Sequence, residues 1–340
     1  MDELQLIAKG NLEMLTNTKT RYDLLKTKEL QSVAKIEASL LRGARKYFEE
    51  SGFTEIVVPH LTRATGACEN FMTVFEVDFF GGKKYLAQTG QLYLEVMTPF
   101  LNKVWCAGPS FRAEQEVDDR HLIEFPLLEI EHKGDFNELL MHIENTIVTM
   151  VQEAVKKNVD ELEFLGSDLD MLRKVKAPFR KITYDKAVEM LSEFGVGWGD
   201  DLKSKHEKYI VEQFGEPVFV THFPKKIKFF NMKEDETRPE VVKSADLLLP
   251  FSGESVGAAE REHDYEKLKQ RLEESTMLKL LKQRGGSISD FDWFLNFYKN
   301  NKAVQHSGCG FGFNRITQFV INSSDIRAST TFPSNKEAVI

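Results

Sequence analysis

The chain has 340 residues, of which 41% are hydrophobic and 29% are charged, a composition typical of a globular protein. It excludes a disordered, collagen-like or low-complexity chain, and no apolar run reaches the roughly 18 residues that a membrane span needs. The net charge of −8 argues against a protein built to wrap nucleic acid. The 3 cysteines are too widely separated for a disulfide framework, and the N-terminus lacks a secretory signal, so we expect a cytoplasmic protein.

The first part of the chain predicts a helix followed by short strands. Apolar residues recur at helical spacing before residue 50, with Leu30, Val33 and Ile36 on one face. A β-rich run at 53–62 is interrupted by Pro59, which is typical of a strand that ends at a proline. The next predicted elements are a hairpin, a helix and two strands around a charged loop: 71–80, 84–88, 91–100, 105–114 and 121–133.

The second part of the chain alternates between helical and strand patterns. The predicted helices are 136–157, 184–194, 264–284 and 316–321. The predicted strands are 217–223, 228–232 and 244–250. Strands joined by hairpins, with helices grouped between them, favour an α+β fold with a mostly antiparallel sheet flanked by helices.

The densest group of charged residues lies at 111–131. On an extended strand Arg112 and Glu114 point to the same face, because side-chain direction repeats every two residues. An arginine beside a carboxylate can hold an anion and an amine together, and Arg120 and His121 in the next loop could reach a phosphate. An ordinary ion-pair network across a hairpin is an equally good interpretation of the same residues.

A second candidate site is the glycine-rich run at 306–315. Its glycines allow the backbone to approach a ligand, and Arg315 lies at a helix start, where a phosphate is favoured. Close packing of a strand against a helix would also explain these glycines.

A third candidate is the pair of carboxylates Asp246 and Glu254, at the ends of adjoining predicted strands. Two carboxylates placed in this way can hold Mg²⁺ together with substrate phosphates. Taken alone, the pair is better explained as two unrelated surface acids.

These signals occur in the order of the three signature motifs of class II aminoacyl-tRNA synthetases. The segment FTEIVVPHLT resembles the first motif, FRAEQEVDDRHLIEFPLLEIE the second, and GFGFNR the third. FFGGKKYLAQTGQLYLE and GESVGAAEREHDYEKL are similar to asparaginyl-tRNA synthetases, and the resemblance extends from about residue 30 to 334. It implies the catalytic fold of that class, usually a homodimer built around the first motif.

The resemblance also implies a set of site residues. Arg112 and Arg315 would be catalytic. The ATP-binding residues would be Arg112, Glu114, Arg120, His121, Phe125 and Arg315. The amino-acid-binding residues would be Glu69, Gln91, Glu95 and Arg261. Asp246 and Glu254 would bind Mg²⁺, and the reaction would be an in-line displacement at the α-phosphorus of ATP that yields an acyl-adenylate and pyrophosphate.

The sequence departs from the tRNA-charging pattern in several places. We expect a helical extension at 1–29, a catalytic domain at 30–340 and no anticodon-binding barrel, because the residues before the first motif are too few for one. Asn314 replaces the acidic residue that usually precedes the arginine of the third motif, and Ser334 replaces a common arginine.

The amino-acid pocket is compatible with two substrates. Leu94 occupies the position of the lysine that neutralises aspartate in aspartyl enzymes, and Arg261 with Glu95 suits an asparagine amide. The same pair would suit an aspartate bound in reverse, whose activated side chain could react with ammonia. The archaeal-type asparagine synthetases, relatives that lack the barrel and that the segment at 260–265 resembles, perform that reaction.

We therefore expect an ATP-dependent ligase that forms an adenylate of aspartate or asparagine. Ammonia is the favoured acceptor and tRNA an unlikely partner, because the chain is acidic and the barrel is not found. The alternatives are a free-standing asparaginyl-tRNA synthetase core and an inactive amino-acid-binding paralogue.

Overall fold

A computed structural model describes residues 12–63, 71–302 and 304–338. In these residues the α-helices are α1 (Lys28–Glu50), α2 (Gln91–Leu101), α3 (Phe136–Lys157), α4 (Val159–Leu165), α5 (Leu169–Lys174), α6 (Tyr184–Met190), α7 (Ser204–Phe214), α8 (Tyr265–Glu274), α9 (Thr276–Gln283), α10 (Asp292–Asn300) and α11 (Phe313–Val320). The strands are β1 (Thr54–Glu55), β2 (Leu61–Thr62), β3 (Glu76–Phe79), β4 (Gly82–Leu86), β5 (Lys103–Phe111), β6 (Glu124–His132), β7 (Arg180–Thr183), β8 (Val218–Thr221), β9 (Ser244–Leu249), β10 (Gly253–Glu260) and β11 (Ser307–Gly312).

Eight strands form one sheet in the order β1-β5-β6-β11-β10-β9-β8-β7, and β2-β4-β3 form a small second sheet. The central pairings are antiparallel, whereas β1 pairs with β5, and β7 with β8, in parallel at the two edges. The predicted α+β fold with a mostly antiparallel sheet is confirmed.

Helices α1 and α3 cover one face of the large sheet. They approach closely at Gly43, where a Cβ atom would lie 2.7 Å from the Cα of Met150. The apolar stripe of α1, including Ile36, Leu40 and Phe48, is fully buried in the main core, which Trp105 of the sheet shares. This layer leaves the opposite face of the central strands available for a cavity.

The glycines of β11 make room for acidic side chains on β6. Gly308 pairs with Glu131, and Gly310 pairs with Glu129. A Cβ at Gly308 would collide with the Glu131 carboxylate and lie 2.5 Å from the carbonyl oxygen of Ile130. The glycine-rich run is therefore needed for close packing of strand against strand, and it allows two carboxylates to lie inside the sheet.

Several element boundaries differ from the sequence-based predictions. The predicted strand at 53–62 is two short strands, β1 and β2, separated by an extended segment that includes Pro59. The predicted strand at 228–232 does not form, and the helix predicted at 264–284 is divided in two because the Ser275 side chain caps a new helix by accepting from the Leu278 N–H.

The predicted helical extension is not a continuous helix where it is described. Between residue 14 and the start of α1 the chain makes two short 3₁₀ turns, Met14–Thr16 and Arg21–Leu24, and residues 1–11 lie outside the described part. The buried guanidinium of Arg21 donates to the carbonyl of Arg327, which fixes this segment against the C-terminal part of the chain. None of the described helices is both long and apolar enough to span a bilayer.

Candidate active site

A cavity of about 380 Å³ lies against the four neighbouring strands β6, β11, β10 and β9. The starts of helices α2 and α11 close its ends. Small residues, including Gly257, Ala258 and Gly310, keep the sheet surface open beneath it. A concave site of this size with converging polar groups is suited to a small substrate.

The structure brings most of the predicted site residues to this one cavity. Those that line it are Gln91, Arg112, Arg120, His121, Phe125, Asp246, Glu254, Arg261 and Arg315. Glu114 and Glu95 are absent from its wall, and Glu69 lies outside the described residues.

Glu114 does not share a strand face with Arg112, because strand β5 ends before both residues. Strand β5 stops at Phe111, after which the Arg112 N–H donates to the Ile123 carbonyl and the Ala113 N–H donates to the Thr73 carbonyl. The two-residue alternation of a strand therefore no longer applies. The inference that Arg112 and Glu114 share a face of one strand is wrong.

The loop after β5 is held by Asp118. Its carboxylate accepts from the backbone N–H groups of Arg120 and His121, each at 2.8 Å, and contacts the His121 Nδ1 at 2.8 Å. Burial acts to raise the pKa of Asp118, but these hydrogen bonds outweigh it and lower the pKa. The ionised carboxylate thus presents Arg120 and His121 to the cavity.

Glu207 on α7 is a cavity residue that the sequence analysis missed. It forms an ion pair with Arg120 at 3.1 Å and also accepts from the Glu254 N–H at 3.0 Å. Arg315, at the start of α11, donates to the Glu254 carbonyl at 2.5 Å. Glu207 thus connects the predicted phosphate-binding residues to the predicted metal ligands.

Arg112 and Phe125 lie next to each other across the hairpin of β5 and β6. The guanidinium carbon of Arg112 lies 4.9 Å from the centroid of the Phe125 ring. A cation stacked on an aromatic face is held in a defined position without losing its charge. The pair can therefore present one flat apolar surface and one positive charge to a nucleotide.

Asp246 and Glu254 are brought close by the pairing of β9 with β10, where Asp246 lies opposite Gly257. Lys228, which the sequence did not indicate, donates to both carboxylate oxygens of Asp246, at 2.8 and 2.7 Å. Burial raises the pKa of Asp246 to about 7, although Lys228 acts to lower it. Two carboxylates beside bound phosphates match the ligands that Mg²⁺ usually takes in nucleotide sites. Among the described residues, no cluster of three or more His, Cys, Asp or Glu side chains is placed to hold a metal ion without other ligands.

Arg261 lies at the floor of the cavity and belongs to a buried ionic cluster that continues beneath it. Its Nε lies 3.3 Å from Glu131 and 3.8 Å from Glu95, and all three side chains are at most 2% exposed. Glu95 already accepts hydrogen bonds from Gln91 at 2.6 Å, Asn231 at 2.7 Å and Tyr298 at 3.2 Å. Gln91, one helical turn before Glu95, thus bonds to it at the cavity edge. Glu95 lies behind the lining residues, and its role in binding the amino acid stays a prediction.

The charges of this cluster are set by burial and by their neighbours. Burial raises the pKa of Glu131 to about 7, because it outweighs the attraction of Arg261. Burial also acts to raise the pKa of Glu95, but His306 and Arg261 outweigh it and lower that pKa. The pKa of His306 is raised: burial acts to lower it, and the hydrogen bond to Glu95 prevails. With the buried Glu129, which Arg261 also attracts, the cluster holds three acidic groups against the two basic groups Arg261 and His306.

These floor residues left only a weak signal in the sequence. Glu129 and Glu131 alternate on one strand, which also describes a solvent-exposed face. Only their pairing with Gly308 and Gly310, far along the chain, shows that they are buried.

The fold and this site place the chain among the class II tRNA synthetases. The family model described as tRNA synthetases class II (D, K and N) matches residues 13–336, and the chain belongs to this family. It is an ATP-dependent, adenylate-forming synthetase, as the sequence motifs indicated. The matched range begins inside the extension predicted at 1–29, and that domain division stays a prediction.

Within the family, the chain is similar to asparaginyl enzymes. It is 37% identical to an asparagine–tRNA ligase of Pyrococcus furiosus over 317 residues, covering 92% of this chain and 70% of the relative. A relative of the same name from Thermococcus gammatolerans is 36% identical, with 98% and 77% covered.

Solved structures give the same result. An asparaginyl-tRNA synthetase of Pyrococcus horikoshii complexed with asparaginyl-adenylate superposes with a TM-score of 0.87 at 34% identity, over 96% of this chain and 73% of the other. The enzyme of Entamoeba histolytica, also complexed with asparaginyl-adenylate, superposes with a TM-score of 0.81 at 28% identity, over 95% and 71%.

These similarities correct one expectation about partners. The prediction that tRNA is an unlikely partner is wrong, because the relatives that the chain matches over most of their length are tRNA ligases. The net charge of −8 was a poor guide, since charge summed over a whole chain does not describe one surface. Ammonia as the acceptor gains no support from any of these relatives. Magnesium, the homodimer and the cytoplasmic location stay predictions.

Proposed function

We propose that this chain activates asparagine with ATP and transfers the asparaginyl group to tRNA. The observation that carries the choice of amino acid is the cavity floor, where Arg261 is flanked by the buried carboxylates of Glu95 and Glu131. An asparagine amide brings no charge, and its oxygen can accept from Arg261. An aspartate carboxylate would add a further negative charge to a buried cluster that already holds several acidic groups, which is costly. The names of the similar ligases support the same substrate.

Different cavity residues have different roles in the first step, the formation of the adenylate. Arg112 balances the negative charge of the reacting carboxylate and the α-phosphate, while Phe125 stacks on the adenine. Arg120, His121 and Arg315 hold the outer phosphates. A carboxylate oxygen of asparagine attacks the α-phosphorus, the bond to the bridging oxygen breaks, and pyrophosphate leaves with that electron pair.

Asp246 and Glu254 would hold Mg²⁺ together with the phosphates. Bound there, the metal would neutralise charge on the phosphate oxygens. In the second step a hydroxyl of the terminal tRNA ribose attacks the acyl carbon, the bond from that carbon to the phosphate oxygen breaks, and AMP leaves with the electron pair while the hydroxyl proton passes to the AMP phosphate. Arg112, which balanced the charge of the α-phosphate, then holds the departing AMP.

The proposal is tested by ATP–pyrophosphate exchange and by aminoacylation of tRNA. Asparagine should support exchange, aspartate should do so much more weakly, and asparaginyl-tRNA should accumulate on an acid gel when tRNA is added. Exchange that depends on aspartate alone, or exchange with asparagine without any charged tRNA, would contradict the proposal at the amino acid or at the acceptor.

We also infer that the chain forms a homodimer through the segment between β1 and β2. Val57 in this segment is 99% exposed, which is unusual for an aliphatic side chain beside a sheet edge. Sedimentation velocity at micromolar concentration should show a dimer, and Val57→Asp should shift it toward monomer. A wild-type monomer at that concentration would refute the inference.

A further inference from the structure

Lys228 bonds to the carboxylate oxygens of Asp246 that a metal ion at the proposed site would need as ligands. The residue follows the 3₁₀ turn Lys225–Ile227 and lines the cavity. Its Nζ lies 2.8 and 2.7 Å from the two oxygens of Asp246. Both side chains are only 13% exposed, so water screens the pair weakly. Lys228 is thus a buried counter-ion of one of the two carboxylates assigned to Mg²⁺.

A divalent cation and this ammonium compete for the same carboxylate. A metal bound to Asp246 needs an oxygen lone pair that the Lys228 N–H groups now occupy, and the two positive charges would repel each other at short distance. We propose that Lys228 keeps the metal site closed to free divalent cations and yields Asp246 only when the metal arrives with the nucleotide. This inference rests on the proposed function for the identity of the nucleotide.

The triphosphate makes metal binding beside Lys228 more favourable than it is for a free metal ion. Its oxygens provide further ligands to the metal, and its negative charge offsets the repulsion between the metal and the ammonium. The ammonium keeps one favourable contact when it releases Asp246, because Nζ lies 3.9 Å from the centroid of the Phe223 ring. It still faces a polyanion in the same cavity. Lys228 is therefore a positioning residue that couples metal binding to nucleotide binding.

The structure provides a matched control on the same turn. Lys225 forms an ion pair with Glu234 at 3.0 Å, is 40% exposed and is absent from the cavity wall. Lys225→Met therefore removes one lysine charge within three residues of Lys228 without changing the partner of Asp246. Comparing it with Lys228→Met separates a specific effect on Asp246 from a general change of charge.

The experiment measures binding of Mn²⁺ by the loss of its free electron paramagnetic resonance signal, first without nucleotide and then with a non-hydrolysable ATP analogue. Without nucleotide, Lys228→Met should bind Mn²⁺ at least tenfold more tightly than wild type and Lys225→Met. With the analogue, the difference should shrink to a fewfold. Adding Asp246→Asn to Lys228→Met should abolish the tight binding, which assigns it to this carboxylate.

Equal Mn²⁺ affinity of wild type and Lys228→Met without nucleotide would overturn the inference. If Lys228→Met fails to fold, Lys228→Gln replaces it, because the amide can still donate one hydrogen bond to Asp246 while carrying no charge; the same increase is then expected. The Mn²⁺ measurement uses no amino acid. A failure of asparagine-dependent exchange would therefore refute the proposed function without deciding the test of Lys228.

Discussion

Replacing Glu131 by glutamine should weaken the discrimination between asparagine and aspartate. Glu131 lies 3.3 Å from Arg261 beneath the proposed amide-binding position and is completely buried. Glutamine has nearly the same shape and can still accept from Arg261, so the main change is the loss of one negative charge. Aspartate, whose side chain is also negative, should gain from this loss, whereas neutral asparagine should not.

The size of the effect follows from the distance and from the pKa. Two carboxylates bound to opposite sides of one guanidinium are about 6 Å apart, and at an effective dielectric constant of about 20 they repel by about 3 kcal/mol. Because the pKa of Glu131 is about 7, the carboxyl can instead take up a proton, which costs about 1.4 kcal/mol for each pH unit above 7. The penalty on aspartate from Glu131 should therefore be small at pH 7, about tenfold at pH 8, and should level off near a hundredfold.

The assay is ATP–pyrophosphate exchange with each amino acid at pH 7 and pH 8. For wild type, the ratio of kcat/KM for asparagine to that for aspartate should rise about fivefold between the two pH values, because Glu131 is already partly ionised at pH 7. In Glu131→Gln this rise should disappear, and the ratio at pH 8 should fall about tenfold. Glu163→Gln, the same change at an exposed position of α4, should behave as wild type.

An unchanged ratio in Glu131→Gln, with the same pH dependence as wild type, would refute the electrostatic account of the floor. A fall of both activities by the same factor would contradict it equally, because a uniform loss shows that Glu131 supports the cluster without choosing between substrates.

Three further outcomes are expected. Arg315→Ala should lower kcat/KM for exchange by a hundredfold or more, because it removes a cation that faces developing phosphate charge, while the urea midpoint stays near that of wild type. Gly308→Ala should destabilise the fold by about 1–3 kcal/mol in urea titrations, because the new methyl group meets the Glu131 carboxylate. The free energy of unfolding should fall by about 3 kcal/mol between about pH 6.5 and pH 4 on account of His132, whose pKa burial lowers to about 4, because the unfolded chain takes up its proton first as the pH falls.

Each of these outcomes has a control. Arg173→Ala, on a helix surface, should leave exchange unchanged, and equal losses in both arginine variants would contradict the role of Arg315. Gly82→Ala, where the nearest atom to a new Cβ is 3.5 Å away, should cost much less than Gly308→Ala. His132→Gln should flatten the acid limb of the stability profile; an unaltered limb would assign the acid sensitivity to other groups.

The sequence by itself determined the class of fold and indicated the arginines that we propose to bind phosphate. Arg112 directly follows strand β5, Arg120 lies in the loop after it, and Arg315 lies at the start of helix α11. The local sequence sets the geometry of such segments, because backbone periodicity and helix termini depend on neighbouring residues. The structure accordingly brings all three arginines to one cavity.

Only the tertiary structure decided what surrounds the proposed amino-acid and metal sites. Glu95 follows Gln91 by one helical turn, yet bonds to Asn231 and Tyr298, far along the chain, and these hold it beneath the floor. Lys228 and Glu207 meet their partners across the cavity in the same way. No local pattern encodes these contacts, because strand register and long-range packing set them, and a buried charge is defined by whichever residues the fold brings within a few ångströms of it.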